Sequence, residues 1–149
     1  MAEPLIDDID VRILDALERD GRMSMRQLAE EIHISRANAY ARVERLTATG
    51  VIRGFAAVID PVGRGFGTSA YVTMSVQQDD WRSVHDQLSA LAGVEHVALV
   101  GGEFDVVLLV RARDNGDLRR LLLDDIQSIS GVINTRTHLV FEESFPSRG

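Results

Sequence analysis

Two stretches of the chain close in the same way. Leu91-Ala92-Gly93-Val94 and Ile129-Ser130-Gly131-Val132 each end a helix-like run, at points 38 residues apart (131 minus 93). The surroundings repeat too. TSAYVTMSV (68–76) alternates as a strand, DDWRSVHDQLSALAG (79–93) has the spacing of a capped amphipathic helix, and VEHVALV (94–100) is a second strand. FDVVLLVRA (104–112), NGDLRRLLLDDIQSISG (115–131) and VINTRTHLVFEE (132–143) run through strand, helix and strand again. A β-α-β-β-α-β order folds as a ferredoxin-like antiparallel sheet with both helices on one face. In its third strand Phe104, Val106, Leu108 and Val110 point one way, yet Val107 and Leu109 on the other side are equally apolar. The face without helices therefore needs a cover, and a second copy of the same sheet across a two-fold axis is the simplest one. The linker of the same chain, as a strand, is too short to cover it alone.

The first 50 residues follow a helical period instead. Asp7 or Asp8 can cap a first helix with Ile9, Ile13, Leu14 and Leu17 on one face, stopping near Gly21. Ser24 and Gln27 have the capping-box spacing ahead of Leu28, Ala29 and Ile32. IHIS interrupts the pattern, Ser35 is the next N-cap, and Ala39, Val43 and Leu46 carry a third helix to Gly50. Two short helices joined by a tight turn make a helix-turn-helix.

Charge singles out the same stretch. All 16 basic residues are arginine, against 23 acids and a net charge of −7. Between Arg22 and Arg53 six arginines meet three acids, so this stretch carries +3 and the rest of the chain −10. With Ala39, Val43 and Leu46 turned to the core, Ser35, Asn38, Arg42 and Arg45 align on one flank of the third helix, and Ala37 and Ala41 point outward. Small alanines let a helix approach DNA closely. Asn38 can pair with adenine, Arg42 with guanine, and Ser35 at the helix N-terminus suits a phosphate. Arg36 and Tyr40 lie on the other flank, within reach of the backbone or of the first helix. The alternative is an exposed amphipathic helix whose arginines are simply solvated.

VIRGFAAVID (51–60) has the composition of a strand interrupted at Gly54, with Arg53 placed as in a wing, and Pro61, Gly63, Gly65 and Gly67 mark a linker. The expected organisation is a helix-turn-helix domain over 1–53, a linker strand and hinge over 54–67, and a ferredoxin-like domain over 68–149. At 45% apolar residues the chain can build a real core. The absence of cysteine excludes disulfide frameworks, thiolate metal sites and cysteine nucleophiles. There is no membrane-length apolar run, and the acidic start is unlike a signal peptide, so a cytoplasmic protein is expected. His33, His85, His96 and His138 lack metal-ligand spacing, Asp79-Asp80 sits where a helix cap is expected, and Asp124-Asp125 diverge on a helix. Neither a catalytic motif nor a cofactor is indicated.

The segments IDDIDVRILDALERDGRMSMRQLAEEI (6–32), ISRANAYARVERLTATGVIRGFAAVIDP (34–61), GGEFDVVLLVRARD (101–114) and SGVINTRTHLV (130–140), in this order and spacing, resemble the feast/famine regulators, the Lrp/AsnC transcription factors. The resemblance implies an α+β fold, with an N-terminal winged helix-turn-helix that binds double-stranded DNA through Ser35, Arg36, Ala37, Asn38, Ala41, Arg42 and Arg45. It also implies a C-terminal ferredoxin-like domain that dimerises, assembles further, often to octamers, and binds an amino-acid-type effector. The effector positions it implies are Leu99, Val100, Gly101, Gly102, Glu103, Phe104 and Asp105, with Gln127, Thr135 and Thr137 nearby. Two glycines expose backbone N–H groups to a carboxylate, and Asp105 can pair with an ammonium group. Gly-Gly followed by a polar residue is also ordinary turn chemistry. Many relatives place an aromatic residue after this aspartate, where this chain has Val106, so effector identity does not carry over. The expected function is an effector-responsive regulator on a palindromic operator. The alternative is a ferredoxin-like metabolite-binding module, or a small enzyme, carrying an unrelated helical arm.

Overall fold

The computed structural model describes residues 6–144, so the expected domain ends at 1–5 and 145–149 lie outside the described residues. The chain divides into two compact units, 6–58 and 59–144, each with its own core.

The first unit is built from α1 (Asp8–Arg19), α2 (Met25–Ile32) and α3 (Arg36–Ala48). Each start is chemically fixed. Asp7 and Asp10 form a reciprocal capping box on α1, Ser24 and Gln27 another on α2, and Ser35 Oγ accepts the Asn38 N–H on α3. His33 adopts the left-handed region (φ 63°, ψ 47°) to turn α2 into α3. Gly50, at φ 77°, lets the chain fold back so that the Ile52 N–H reaches Leu46 O at 2.9 Å. Ile13, Ala16 and Leu17 meet Leu28, Ala29, Ile32, Ala39, Leu46 and Ile52 in the core. Burial of each large aliphatic side chain is worth roughly 1.5–3 kcal/mol. Arg12 Nη2 also donates to Ile32 O at 3.1 Å, and Arg19 pairs with Glu31, tying α1 to α2.

The strand expected over 51–60 does not form. A strand exists through its ladder, and among the described residues the sheet contains only strands that follow residue 67. The expected wing around Arg53 is thus an extended segment. Val51 and Phe55 border, with Leu14 and Leu17, a groove of about 450 Å³ in the first unit.

The second unit holds β1 (Thr68–Val76), α4 (Trp81–Ala90), β2 (Val94–Leu99), β3 (Val106–Ala112), α5 (Asn115–Arg120) with a π-helical continuation Leu121–Ile126, and β4 (Val132–Leu139). The order β2-β3-β1-β4, with every neighbour antiparallel, is the ferredoxin-like sheet. Ala70, Val72, Met74, Val76, Val106, Leu108 and Val110 face Val84, Leu88, Leu118, Leu121, Ile126 and Ile129 in one core. Trp81 packs against this core and meets His85 edge-on.

Three details differ from expectation. β3 begins at Val106, leaving Phe104 half-buried in the preceding loop. Asp80 stands at the N-cap of α4 without a side-chain capping bond. The second helix changes pitch: buried positions fall at Leu118, Leu121, Ile126 and Ile129, and unbroken α spacing would turn Asp125 toward the core four residues after Leu121. Widening the turn over Leu121–Ile126 substitutes Ile126 and leaves Asp125 exposed.

Candidate functional site

Once Ala39 and Leu46 are buried, helical geometry turns Ala37, Asn38, Ala41, Glu44, Arg45 and Ala48 outward, and all six are exposed. Ser35 and Arg36 are exposed at the same end, and Tyr40 beside them is 62% exposed. The result is an open, small-residue helix face with polar groups at its N-terminal end.

The two central arginines both meet carboxylates at the start of α1. Arg42 Nη1 donates to Asp7 Oδ1 (2.8 Å), Asp7 Oδ2 (2.7 Å) and Asp10 Oδ1 (2.9 Å), while its Nε donates to Asn38 Oδ1 (3.1 Å). Arg45 Nη2 donates to Asp10 Oδ2 at 2.5 Å. Arg42, expected to read guanine, thus has its Nη1 on the carboxylates of Asp7 and Asp10 at the start of α1. The reason is reach: a long side chain on the flank of α3 finds two acids in the first turn of α1 before it finds solvent. Burial pushes the Asp10 carboxyl up, but hydrogen bonds from the Asp7 N–H, Arg45 and Arg42 outweigh it and bring the group from 3.8 down to about 2. Arg42, through its bond to it, also lowers the Asp7 carboxyl, helped by the Asp10 N–H.

The expected effector residues separate into groups. Gly101 and Gly102 are exposed, with Gly102 at φ 138°, so the loop backbone is open. Glu103 and Phe104 line, with Thr73, Ser75, Asn134 and Arg136, a small pocket of about 50 Å³, and Arg136 pairs with Glu103 at 3.1 Å. Arg136 lies opposite Thr73 on the face of the sheet away from the helices. Thr135 lies opposite Met74 and Thr137 opposite Val72, on the helix-covered face, and there Gln127 Nε2 donates to Thr135 Oγ1 at 2.9 Å. Leu99, at the end of β2, is exposed, and the Val100 N–H bonds Asp105 O at 2.8 Å.

Asp105 holds the loop to the sheet. Its N–H donates to Met74 O (3.0 Å) and its Oδ2 accepts the Val76 N–H (3.0 Å). One carboxylate oxygen is thus committed to backbone, which makes the residue a turn anchor whatever else it binds.

Sequence reasoning missed two groups. The acids of α1 are one. The other is Arg111, 5% exposed on the helix-free face, which donates to Glu95 (2.8 Å), Ser69 (2.8 Å) and Glu143 (2.7 Å). Its bonds to the Glu143 and then the Glu95 carboxylate raise its already high pKa further, against the opposing effect of burial. The available signal was an arginine alternating with Val107 and Leu109 in a strand otherwise apolar. Among the described residues no group of three His, Asp or Glu side chains is placed to hold a metal, and no helix is long and apolar enough to cross a membrane.

Residues 69–149 match the family model for the Lrp/AsnC ligand binding domain, and residues 6–53 match one for winged helix-turn-helix DNA-binding. The chain is 39% identical over 140 residues to the HTH-type transcriptional regulator AldR of Mycolicibacterium smegmatis, covering 92% of this chain and 82% of that protein. Among solved structures it resembles AldR of Mycobacterium tuberculosis (TM-score 0.82, 31% identity, 95% and 97% of the two chains covered). It also resembles E. coli AsnC (TM-score 0.84, 25% identity, 95% and 96% covered).

Proposed function

Since the chain belongs to the Lrp/AsnC family of transcriptional regulators, we propose that it recognises a palindromic operator through α3 and answers to an amino-acid-type effector bound by its second unit. Its relatives are named as regulators, which favours this reading over the enzyme or isolated metabolite module. The observation that carries it is the outward face of α3, where Ala37 and Ala41 clear the way for close approach and Ser35, Arg36 and Asn38 supply polar contacts. Arg45, half-exposed and paired with Asp10, borders that face. Residues 54–67 link a DNA-binding domain, 1–53, to an effector and assembly domain, 68–149. The protein works in the cytoplasm, where the chromosome is.

Asn38→Ala removes a base-edge contact from an exposed side chain. It is expected to weaken operator binding by about 1–3 kcal/mol while leaving the melting temperature in place. Fluorescence anisotropy beside a thermal melt measures both, and unchanged operator affinity would remove Asn38 from the reading set.

The helix-free sheet face, with Val107, Leu109 and Tyr71 on it, is the dimer surface. The effector site is completed by assembly, because Glu103 and Phe104 on one sheet face and Gln127 and Thr135 on the other do not meet within one chain. Dimers of dimers, up to an octamer, supply the second half. Within the loop, Gly101 and Gly102 offer N–H groups to a carboxylate, and Glu103, exposed and paired with the exposed Arg136, is a more available partner for an ammonium group than Asp105. In a thermal-shift screen of the twenty amino acids, at least one should raise the midpoint, since a ligand of the folded state stabilises it by mass action. Glu103→Ala should abolish that shift with DNA binding retained. A shift that survives in Glu103→Ala would move the ammonium site to Asp105 or to Gln127 and Thr137.

A further inference from the structure

Four charged side chains join the first turn of α1 to the flank of α3, and their arrangement bears on how α3 meets DNA. Asp7 and Asp10 give two negative charges, Arg42 and Arg45 two positive ones, and the cluster is formally neutral. Its members are not equally placed. The Asp10 side chain is 1% exposed and Arg42 19%, whereas Asp7 is 50% exposed. Asp10 is therefore fixed, and Asp7 is the carboxylate that water and a competing anion can reach. All three carboxylate contacts of Arg42 run through Nη1, and Nε is left to hold Asn38 Oδ1 at 3.1 Å. That contact fixes the oxygen end of the amide, so that the Asn38 amide nitrogen is the end left free to donate.

We propose that Asp7 is a specificity-determining residue, an internal stand-in for DNA phosphate that withholds Arg42 from the backbone and keeps it as the positioning group for Asn38. The proposal rests on the reading of α3 as the helix that enters DNA. A positive charge neutralised inside the protein releases no DNA counterion on binding, so it adds nothing to sequence-independent affinity. Removing the Asp7 charge takes away two of the three carboxylate contacts of Arg42 and leaves it with Asp10, which Arg45 also holds. Arg42 is then free to take a phosphate, which strengthens binding to any sequence and loosens the hold on Asn38.

Asp7→Asn tests this directly, because asparagine serves as well as aspartate at an N-cap and α1 keeps its start. The full chain is titrated against a duplex selected by the wild-type protein from a random pool and against a scrambled duplex of equal length, each over a salt series. Asp7→Asn should bind the scrambled duplex several-fold more tightly, lower the ratio of selected to scrambled affinity, and steepen the slope of log affinity against log salt by about 0.9 per bound subunit. Arg42→Met should lower the ratio with the slope unchanged. Unaltered slope and ratio in Asp7→Asn, or a slope that falls by about 0.9 in Arg42→Met, would overturn the proposal. Should circular dichroism show Asp7→Asn unfolded, Asp7→Ser supplies another capping residue, and the Arg42→Met slope decides independently. Ala41→Glu separates the two levels: if it leaves binding intact, α3 is not the DNA face, and the failure belongs to that reading instead of to Asp7.

Discussion

Replacing Asp10 with alanine is expected to destabilise the helical unit by about 2–4 kcal/mol, among the largest effects of any single substitution there, because it breaks a buried ion pair and half of a capping box together. Asp10 accepts from the Asp7 N–H at 3.0 Å and holds both Arg42 and Arg45. Its loss leaves Arg42, largely buried, with the more exposed Asp7 as its remaining carboxylate. The figure is kept below that for a fully buried pair because Arg45 is 45% exposed and water can solvate it. The same group sets an acid limit. Its carboxyl titrates at about 2 in the folded chain against an ordinary 3.8. A depressed folded value means that the stabilisation is complete above the ordinary value and fades as pH falls through the range between the two. Far-UV circular dichroism in urea, run at neutral pH and between pH 4 and 2, should show the wild type losing stability across that window and Asp10→Ala losing less. Equal acid sensitivity in the two proteins would mean that Asp10 does not carry the effect.

Leu109→Asp is expected to weaken the proposed dimer by a factor of roughly 10²–10⁴, equivalent to the 3–5 kcal/mol of an uncompensated buried charge. Leu109 sits in the middle of β3, opposite Tyr71 on one side and His96 on the other. The core of this unit lies on the opposite face, among Leu108, Val110 and Val72, so the folded subunit should survive. Sedimentation velocity should find the wild type dimeric and the variant a folded monomer at the same concentrations. A well-folded dimer in the variant would place the interface elsewhere. Arg111 belongs to this face too, and its bonds to Glu95, Ser69 and Glu143 mean that it would come to the proposed interface already paired.

Much of the fold follows from local pattern. The capping pair Ser24 with Gln27, the caps Asp7 and Ser35, the interruption at IHIS and the alternation of β1 and β3 are short-range features, and short-range features are what a sequence displays. Long-range partners are not displayed. A helical wheel gives the direction of Arg42 but not that Asp7, 35 residues earlier, stands in that direction. Strand-like alternation over 51–60 says nothing of whether a neighbouring ladder exists to pair with it. The change of pitch at Leu121–Ile126 was visible in principle, since the apolar positions 121 and 126 are five apart, but Leu122 and Leu123 mask the break by keeping the run apolar. Asp105 shows how a motif position can carry two duties, for its bond to the Val76 N–H depends on a strand 29 residues upstream.

The central claim is that α3 distinguishes one DNA sequence from another. Anisotropy titrations of wild-type protein on a selected duplex and its scrambled counterpart, at a salt concentration near that of the cell, test it most directly. A preference of about 10³-fold or greater for the selected duplex is expected, with a protected site of two half-sites about one helical turn, or a multiple of it, apart. Equal affinity for the two duplexes, falling together as salt rises, would mean that the arginine-rich stretch attracts nucleic acid by charge alone and would contradict the account.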